Sequence, residues 1–497
     1  MNIWRIVFTL IGTFVLQSLM AQDKSVLDAY KKNKQTQIET YHKTKHQLFE
    51  EYRKQKNDEF AGYLSRPWES AEKHPAVPAP KKPDPVRPVV APMDKTSRQP
   101  AAPIEFPIGG VVRPITPLKE EPLDIPQPEE PRPKTGGKMN VSLFGMSLPV
   151  SMTAKERFKL NSLNEKEIGR VWKILSGDAY TAIFEDCARM YEEMRLNGWA
   201  TYNLCKAIGE TLLGEGTPEA VVLKTFLMTQ LGYDARIIRL DNNRLGMICP
   251  ANVEIARITY INLNGKRYYL WDDQKGEKNI RTYKNNFCNA TRSIDFMNGT
   301  YIRFAEKMTT PRKFVSEWNP QAAVTVSVNK SLMDYYKDMP LITDWTFYAR
   351  QNMDDGVRQQ IMPVLKNAVA GKGEFEAVNV LLHFVQTAFE YETDEKQYGY
   401  EKTDFKEEPF YYRACDCEDR SILFSELVNS ILGLDVVLLY YPNHLCTAVR
   451  LNSEVAGDYV SVYGRKYLIC DPTYINASAG KCMPQFKSVK AKIYKIF

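Results

Sequence analysis

The placement of proline constrains this chain of 497 residues more than any other feature, because 18 of its 29 prolines lie between Pro67 and Pro133. Proline fixes φ and has no backbone N–H, so it is excluded from helix interiors and from central strands. The segment also lacks apolar periodicity, and such a chain cannot bury enough surface to offset its ordering entropy. We therefore predict that residues 67–138 form a disordered Pro-rich tether ahead of a globular part that begins at Met139. The alternative is that some of its stretches dock into a groove elsewhere in the chain.

The overall composition excludes several classes of protein. Hydrophobic residues make up 44% of the chain and charged residues 25%, as in an ordinary globular protein. Wholesale disorder, collagen and a polytopic membrane protein are therefore excluded. The net charge of +6 is spread thinly and forms no basic stripe with interleaved aromatic residues, so we predict no nucleic-acid partner.

Residues 1–21 have the pattern of a signal peptide. Arg5 precedes an apolar run from Ile6 to Leu16, and the small residue Ala21 comes before a polar stretch. Thr and Gly residues interrupt the run, which is shorter than the ~20 apolar residues of a membrane-spanning helix. We therefore expect a cleaved signal and an exported protein, either periplasmic or extracellular.

An 11-residue repeat follows the signal and occupies residues 22–66. Eleven residues over three turns is ~3.67 per turn, close to the period of a straight α-helix, so each column of the repeat stays on one face. Lysines flank that face. We predict an amphipathic helix that packs on itself as a coiled coil or on a partner; attachment to an anionic surface is the alternative. The apolar columns contain Leu27, Ile38, Phe49 and Phe60, and Tyr30, Tyr41, Tyr52 and Tyr63.

In the C-terminal part, a cysteine, a histidine and an aspartate lie at the ends of predicted elements. Apolar residues recur at helical spacing after Cys417, and Gly433 follows as a C-terminal cap. Stretches rich in aliphatic and aromatic residues are predicted to be strands: 434–441, 444–451 and 465–470. Cys417 therefore begins a helix, His444 begins a strand, and Asp471 directly follows one.

This order is what nucleophilic thiol catalysis needs. A helix N-terminus favours the thiolate, a histidine takes and returns the proton, and an aspartate orients the imidazole. The acidic residues Asp416, Glu418 and Asp419 oppose ionisation of the thiol between them. Arg413, Arg420 or the imidazolium would have to offset their charge.

These residues resemble the transglutaminase-like superfamily, which has a papain-like α+β fold and includes protein cross-linkers, cysteine peptidases and amidases. The resemblance covers residues 374–497 and rests on CEDRS, YPNHLCTAV, YLICDPTY and the upstream NVLLHFVQTAFEYETDE. It implies that Cys417 is the nucleophile, His444 the base and Asp471 the orienting acid.

The chain departs from the family pattern in two places. The spacing between His444 and Asp471 is longer than the usual hairpin, which suggests an insertion at residues 452–463. Cys415 is a second thiol close to Cys417, and the sequence leaves open which of the two is the nucleophile. A small buried side chain is the preferred interpretation of Cys415.

The first half of the globular part looks like a degenerate copy of the second, which predicts two tandem transglutaminase-like lobes at 139–315 and 316–497. Chance similarity between two helix-strand units is the alternative. The alignment pairs Gly232 with Gly433, Gly216 with Cys417, Asn243 with His444, and Asp272 with Asp471. Without a thiol or an imidazole, the first copy is expected to be structural or to bind peptide.

The predicted function is therefore that of an exported thiol enzyme that acts on a peptide or protein amide bond through an acyl-thioester. Hydrolysis is preferred over cross-linking because water is always present. We predict no cofactor and no metal, since the remaining cysteines lack the paired spacing of a zinc site. The competing hypothesis is a non-catalytic scaffold that presents a peptide-binding module, with attachment or self-association through residues 23–66.

Overall fold

The described residues of the computed structural model form an α+β protein. They are residues 32, 34, 36, 51–80, 89–92, 103–112, 137–240, 244–272, 280–283, 290–296 and 302–496. The predicted signal peptide lies outside them. Within the described part, no helix has the length and apolar character needed to cross a bilayer.

Helix α1, residues 51–64, is the last part of the predicted amphipathic helix. Its apolar face packs inside the chain: the Phe60 ring meets the Trp172 ring edge to face at 5.0 Å, and the Tyr63 ring centroid lies 4.9 Å from that of Tyr283. Tyr52, one repeat earlier, is 51% exposed. The end of the helix is thus bound to its own chain, and attachment through the preceding repeats stays a prediction.

The described residues of the Pro-rich segment include five short strands. The remaining parts of the predicted disordered tether, residues 81–88, 93–102 and 113–136, lie outside the described residues. Pro103 and Pro107 flank a strand and do not interrupt it, so the missing N–H groups cost no ladder hydrogen bonds. Four of these strands pair through their backbones at the edges of larger sheets, and the strand at residues 89–90 pairs with residues 474–475. Such backbone pairing needs little apolar periodicity. The five strands are β1 (Glu69–Ala71), β2 (Lys73–His74), β3 (Val89–Val90), β4 (Ile104–Phe106) and β5 (Ile108–Val112).

The first lobe contains a seven-stranded sheet with the order β1-β12-β8-β9-β11-β10-β2 and a separate two-stranded sheet of β6 and β7. Strands of the Pro-rich segment form both edges of the larger sheet. The Trp172 side chain is fully buried in its core. The strands of the lobe are β6 (Met139–Leu143), β7 (Met146–Val150), β8 (Arg236–Leu240), β9 (Leu245–Pro250), β10 (Tyr260–Leu263), β11 (Lys266–Leu270) and β12 (Ile280–Thr282). Its helices are α2 (Glu165–Leu175), α3 (Asp178–Glu193), α4 (Gly198–Leu213) and α5 (Pro218–Gln230).

A hairpin of β13 (Arg312–Val315) and β14 (Ala323–Val326) spans the predicted division between the lobes. The Phe314 ring lies 5.2 Å from the rings of both Phe389 and Phe410, so the hairpin packs on the second lobe. A boundary between residues 315 and 316 would cut this hairpin in two. The second lobe therefore begins before Arg312.

The second lobe contains a sheet with the order β4-β17-β18-β16-β15-β20-β5, again with both edges from the Pro-rich segment. Strand β17 lies inside the predicted insertion and belongs to this sheet. The strands are β15 (Val436–Tyr441), β16 (His444–Val449), β17 (Asp458–Val462), β18 (Arg465–Cys470), β19 (Tyr474–Ile475) and β20 (Ala491–Lys495). The helices are α6 (Lys330–Lys337), α7 (Trp345–Arg350), α8 (Asp355–Val369), α9 (Glu374–Thr387), α10 (Asp394–Gln397) and α11 (Cys417–Leu432).

The two sheets share the same central topology. The order β12-β8-β9-β11-β10 in the first lobe corresponds to β20-β15-β16-β18-β17 in the second, with antiparallel neighbours throughout. In each lobe a helix, α5 or α11, leads into the central strands of the sheet. A glycine with positive φ follows each helix: Gly232 with 83° and Gly433 with 66°. The shared strand order supports the predicted internal copy.

Candidate active site

The structure brings together the three residues that the sequence predicted. Cys417 is the first residue of α11, because the N–H of Asp416 donates to Asp419 Oδ2 at 3.1 Å and so caps the helix there. Strands β16 and β18 are neighbours, so the start of the first lies near the end of the second. His444 Nε2 lies 2.9 Å from Asp471 Oδ2.

The carboxylate of Asp471 is held on both sides. Its Oδ1 accepts hydrogen bonds from the N–H groups of Thr473, at 2.8 Å, and Tyr474, at 3.2 Å. Gln386 on α9 donates through Nε2 to the backbone oxygens of Asp471, at 3.0 Å, and Tyr474, at 2.8 Å. Sequence reasoning missed Gln386; its only signal is a polar residue on the apolar face of a predicted helix.

The imidazole of His444 is fixed by stacking as well as by the carboxylate. The ring of Phe486 lies parallel to it, with centroids 5.0 Å apart and an angle of 4° between the planes. Burial by itself lowers the pKa of His444, but Asp471, through its charge and hydrogen bond, together with Cys417, raises that pKa to about 10. An imidazolium beside a thiol favours the nucleophilic thiolate.

The hydrogen bond of the Cys417 thiol is made to a carboxylate oxygen. Cys417 Sγ donates to Glu418 Oε2 at 3.1 Å, and His444 Nδ1 is buried without a hydrogen-bond partner among the described residues. The side chains are near enough for Cys417 to contribute to the raised pKa of His444.

The imidazolium is the cation that balances the acidic surroundings of the thiol. Arg413 is 81% exposed and pairs with Glu390 at 2.9 Å. Arg420 is buried, and its guanidinium donates to two backbone carbonyls near the end of α9 at 3.1 and 2.8 Å. Of the three cations that the sequence offered, His444 is therefore the one that acts on Cys417.

Asp419, one of the three acidic neighbours of the thiol, is buried near other carboxylates. Burial, followed by the charges of Asp404 and Asp416, raises the pKa of Asp419 well above its usual value. Its carboxylate oxygens accept the N–H groups of Asp404, at 2.8 Å, and Asp416, at 3.1 Å. Asp419 thus serves mainly to shape the turn that carries the nucleophile.

The second thiol is poorly placed for attack. Cys415 is 1% exposed, and burial raises its pKa to about 11. Its N–H donates to the backbone oxygen of Glu390 at 3.1 Å. All eight cysteines in the described part of the chain are free thiols. The geometry therefore favours Cys417 over Cys415 as the nucleophile.

The three side chains are buried. The exposed fractions of Cys417, His444 and Asp471 are 3%, 1% and 3%. Tyr440 lies close enough to the thiol that a charge on Cys417 contributes, after burial, to raising the tyrosine pKa. It also lines an open groove of about 570 Å³ on the surface. Tyr440 is therefore shared by the lining of the groove and the surroundings of the thiol.

Some of these side chains could also serve as metal ligands. The ligand atoms of His444, Cys446 and Asp471 lie within 4.8 Å of one another, and so do those of Asp416, Cys417 and Glu418. Imidazole, thiolate and carboxylate are ligands that zinc accepts. The predicted thiol chemistry of Cys417, His444 and Asp471 needs no metal ion. That the protein has no metal stays a prediction.

The raised pKa of His444 predicts a stability contribution that depends on pH. Because the folded state favours the protonated imidazole, this contribution is complete below pH 6.5, the unfolded value, and is lost as the pH rises to about 10. We expect the difference in unfolding free energy between the wild type and His444→Gln to shrink over this interval. Urea unfolding at its two ends measures the difference, and an increase with pH would contradict the ion pair.

The fold and the Cys417–His444–Asp471 arrangement are the features by which this chain can be compared with known proteins. No family model, curated protein or solved structure matches it. The assignment of a function therefore depends on the geometry of the site.

Proposed function

We propose that this protein is an exported, transglutaminase-like thiol enzyme that hydrolyses peptide or protein amide bonds. The observation that carries the proposal is the buried hydrogen bond of 2.9 Å between His444 Nε2 and Asp471 Oδ2, with Cys417 close enough to contribute to the raised pKa of the same imidazole. A carboxylate that binds one nitrogen fixes the imidazole orientation and leaves Nδ1 for the thiol.

In the proposed reaction the Cys417 thiolate attacks the amide carbonyl, and an S–C bond forms. The C–N bond then breaks, and the leaving amine takes a proton from the His444 imidazolium. Water next attacks the thioester, gives a proton to the imidazole, and releases the carboxylic acid and the thiolate. The N–H of Cys417, in the first turn of α11, is a suitable donor to the oxyanion because helix termini leave such groups unpaired.

The surface groove beside Tyr440 supports a peptide as the substrate. It is lined by Gly109 and Gly110 of β5, by Asn443 next to the catalytic histidine, and by Lys492. Glycines let another backbone approach closely, and an extended peptide needs such a surface. The Pro-rich segment thereby contributes one wall of the proposed substrate groove.

A non-catalytic peptide-binding scaffold is the second candidate, and one observation favours it. The Cys417 thiol is 3% exposed and donates to Glu418 in place of the imidazole. A thiol with only a structural role would have the same features. The two candidates differ in whether the sulfur reacts when it becomes accessible.

Iodoacetamide labelling, followed by peptide mapping, distinguishes the two. On the enzyme proposal, Cys417 reacts at neutral pH about tenfold faster than a free cysteine, because the thiolate is the reacting species. His444→Gln should remove that advantage, and Cys415→Ala should leave it intact.

Access to the sulfur is tested separately with Tyr440→Ala, which opens the groove side of the thiol. We expect faster labelling of Cys417 in this variant than in the wild type. If Cys417 still reacts no faster than a free cysteine after this substitution, burial is not the cause, and the scaffold hypothesis is preferred.

A further inference from the structure

The surface groove beside Tyr440 is lined by positive charge. Its lining includes Lys490 and Lys492 and, among the described residues, no aspartate or glutamate. Both lysines are exposed, and neither ammonium makes an ion pair or a hydrogen bond within the described part of the chain. The Lys492 ammonium lies 5.2 Å from the centroid of the Tyr494 ring. Two cations are therefore available at this surface, and the reaction steps proposed above use neither.

The sequence that forms this wall of the groove is strongly basic. Residues 472–497 contain five lysines and no aspartate or glutamate, so this segment is a local exception to the thin spread of charge along the chain. Strand β20 and both lysines of the groove belong to it. Several like charges on one surface attract anionic ligands and raise their rate of association.

Strand pairing places one of these lysines at a defined distance from the proposed reaction centre. Lys492 on β20 pairs with Tyr440 on β15, and Tyr440 pairs with Leu445 on β16, the residue after His444. Neighbouring strands lie ~4.8 Å apart, so the backbone of Lys492 is about 10 Å from that of β16. Asn443, which also lines the groove, directly precedes His444. The groove therefore extends from the lysines to the turn that carries the histidine.

Carboxylates lie beyond this turn, around the thiol. Glu418 is fully buried and accepts the hydrogen bond of Cys417, and Asp416 is 2% exposed. An acidic side chain of a substrate would be repelled beside these carboxylates and attracted beside the lysines. An extended peptide advances ~3.3 Å per residue, so a distance of ~10 Å corresponds to about three residues.

We propose that this groove selects peptides with an acidic side chain about three residues from the amide bond that is cleaved. The inference rests on the proposed function and specifies the substrate of that same site. An aspartate or glutamate carboxylate accepts charge-assisted hydrogen bonds from an ammonium group. Gly110, which pairs with Lys492, leaves room for the peptide backbone, because no atom lies within 4 Å of the point where its Cβ would be.

Calorimetric titration of the full chain carrying Cys417→Ala tests this selection without turnover. The probes are an alanine-rich peptide with blocked termini and two glutamates, the same peptide with two glutamines, and a short oligothymidylate. We expect the glutamate peptide to bind at least about fivefold more tightly than the glutamine peptide at low salt. This preference should shrink at about 0.5 M salt, because exposed charges are screened. Tighter binding of the oligothymidylate than of the glutamate peptide would overturn the proposal.

Replacement of both groove lysines, Lys490→Gln with Lys492→Gln, should abolish the preference, and Lys492→Glu should favour the glutamine peptide. Lys487→Gln is the matched control, since this exposed lysine belongs to the same basic segment and lies outside the groove lining. Equal affinity for the two peptides, no binding of either, or an equal effect of the control would overturn the proposal.

Cleavage mapping with the wild type tests the position of the acidic side chain. In a peptide library, aspartate and glutamate should be enriched about three residues from the new termini, and the double lysine variant should lose this enrichment. Cleavage without such enrichment would contradict the selection. Labelling of Cys417 needs no peptide and the titration needs no turnover, so failure of the proposed enzyme and failure of this selection are distinguishable.

Discussion

If the proposed function holds, replacement of Cys417 by alanine is expected to reduce amide hydrolysis to background, a loss of at least about 10⁴-fold, because the proposed acyl-enzyme forms on this thiol. Asp471→Asn should lower kcat/KM by roughly three to four orders of magnitude, since the amide no longer stabilises the imidazolium or its orientation. The substrate is a peptide library with blocked termini, and mass spectrometry of the new termini measures hydrolysis.

Two neighbouring thiols provide the controls for this experiment. Cys415 and Cys446 are both buried, and alanine at either position should leave hydrolysis within a few-fold of the wild type. Loss of activity in Cys415→Ala with retention in Cys417→Ala would show that the nucleophile is misassigned. Hydrolysis that survives all three substitutions would contradict thiol catalysis by this chain.

Lys402→Met is expected to lower the free energy of unfolding by about 3–5 kcal/mol, the usual cost of breaking a buried ion pair from one side. Lys402 Nζ lies 2.5 Å from Asp404 Oδ1 and 2.6 Å from Glu408 Oε1. Methionine has a similar length but no charge, so both buried carboxylates lose their cation. Because the N–H of Asp404 donates to Asp419, the damage should extend to the turn before α11.

Chemical denaturation compares this variant with Lys396→Met on α10. The ammonium of Lys396 is 66% exposed and lies 3.2 Å from Glu392, and such surface pairs contribute only about 0–1 kcal/mol. Similar losses of unfolding free energy in the two variants would show that the buried ion pairs of Lys402 do not stabilise the turn before α11. Glu408→Gln in the Lys402→Met background should recover part of the lost stability.

The elements around the proposed triad could be predicted because their signals are local. Apolar spacing and Gly433 mark α11, which ends at Leu432 with Gly433 in the left-handed conformation. The strand predicted for residues 465–470 is observed with the same bounds. Turn residues and side-chain periodicity act within a few residues, so one sequence is sufficient to find them.

The partners of those elements could not be predicted, because they come from distant parts of the chain. The five strands of the Pro-rich segment pair through backbone groups. Backbone pairing imposes no periodic pattern of apolar side chains on the sequence. Gln386 supports the loop of Asp471 across 85 positions. In the first lobe, Leu240 pairs with Arg244 as Tyr441 pairs with His444, so the strand register matches Arg244 to His444. The aligned Asn243 lies outside the described residues.

The sequence by itself determined which residue types lie at the ends of which elements: a cysteine at a helix start, a histidine at a strand start and an aspartate after a strand. Tertiary structure alone decided that these ends meet, that the thiol is buried and donates to Glu418, and that the Pro-rich segment completes both sheets. The reason is physical: helix and strand propensities depend on neighbouring residues, whereas burial, pKa and ion pairing depend on which distant groups the fold brings together.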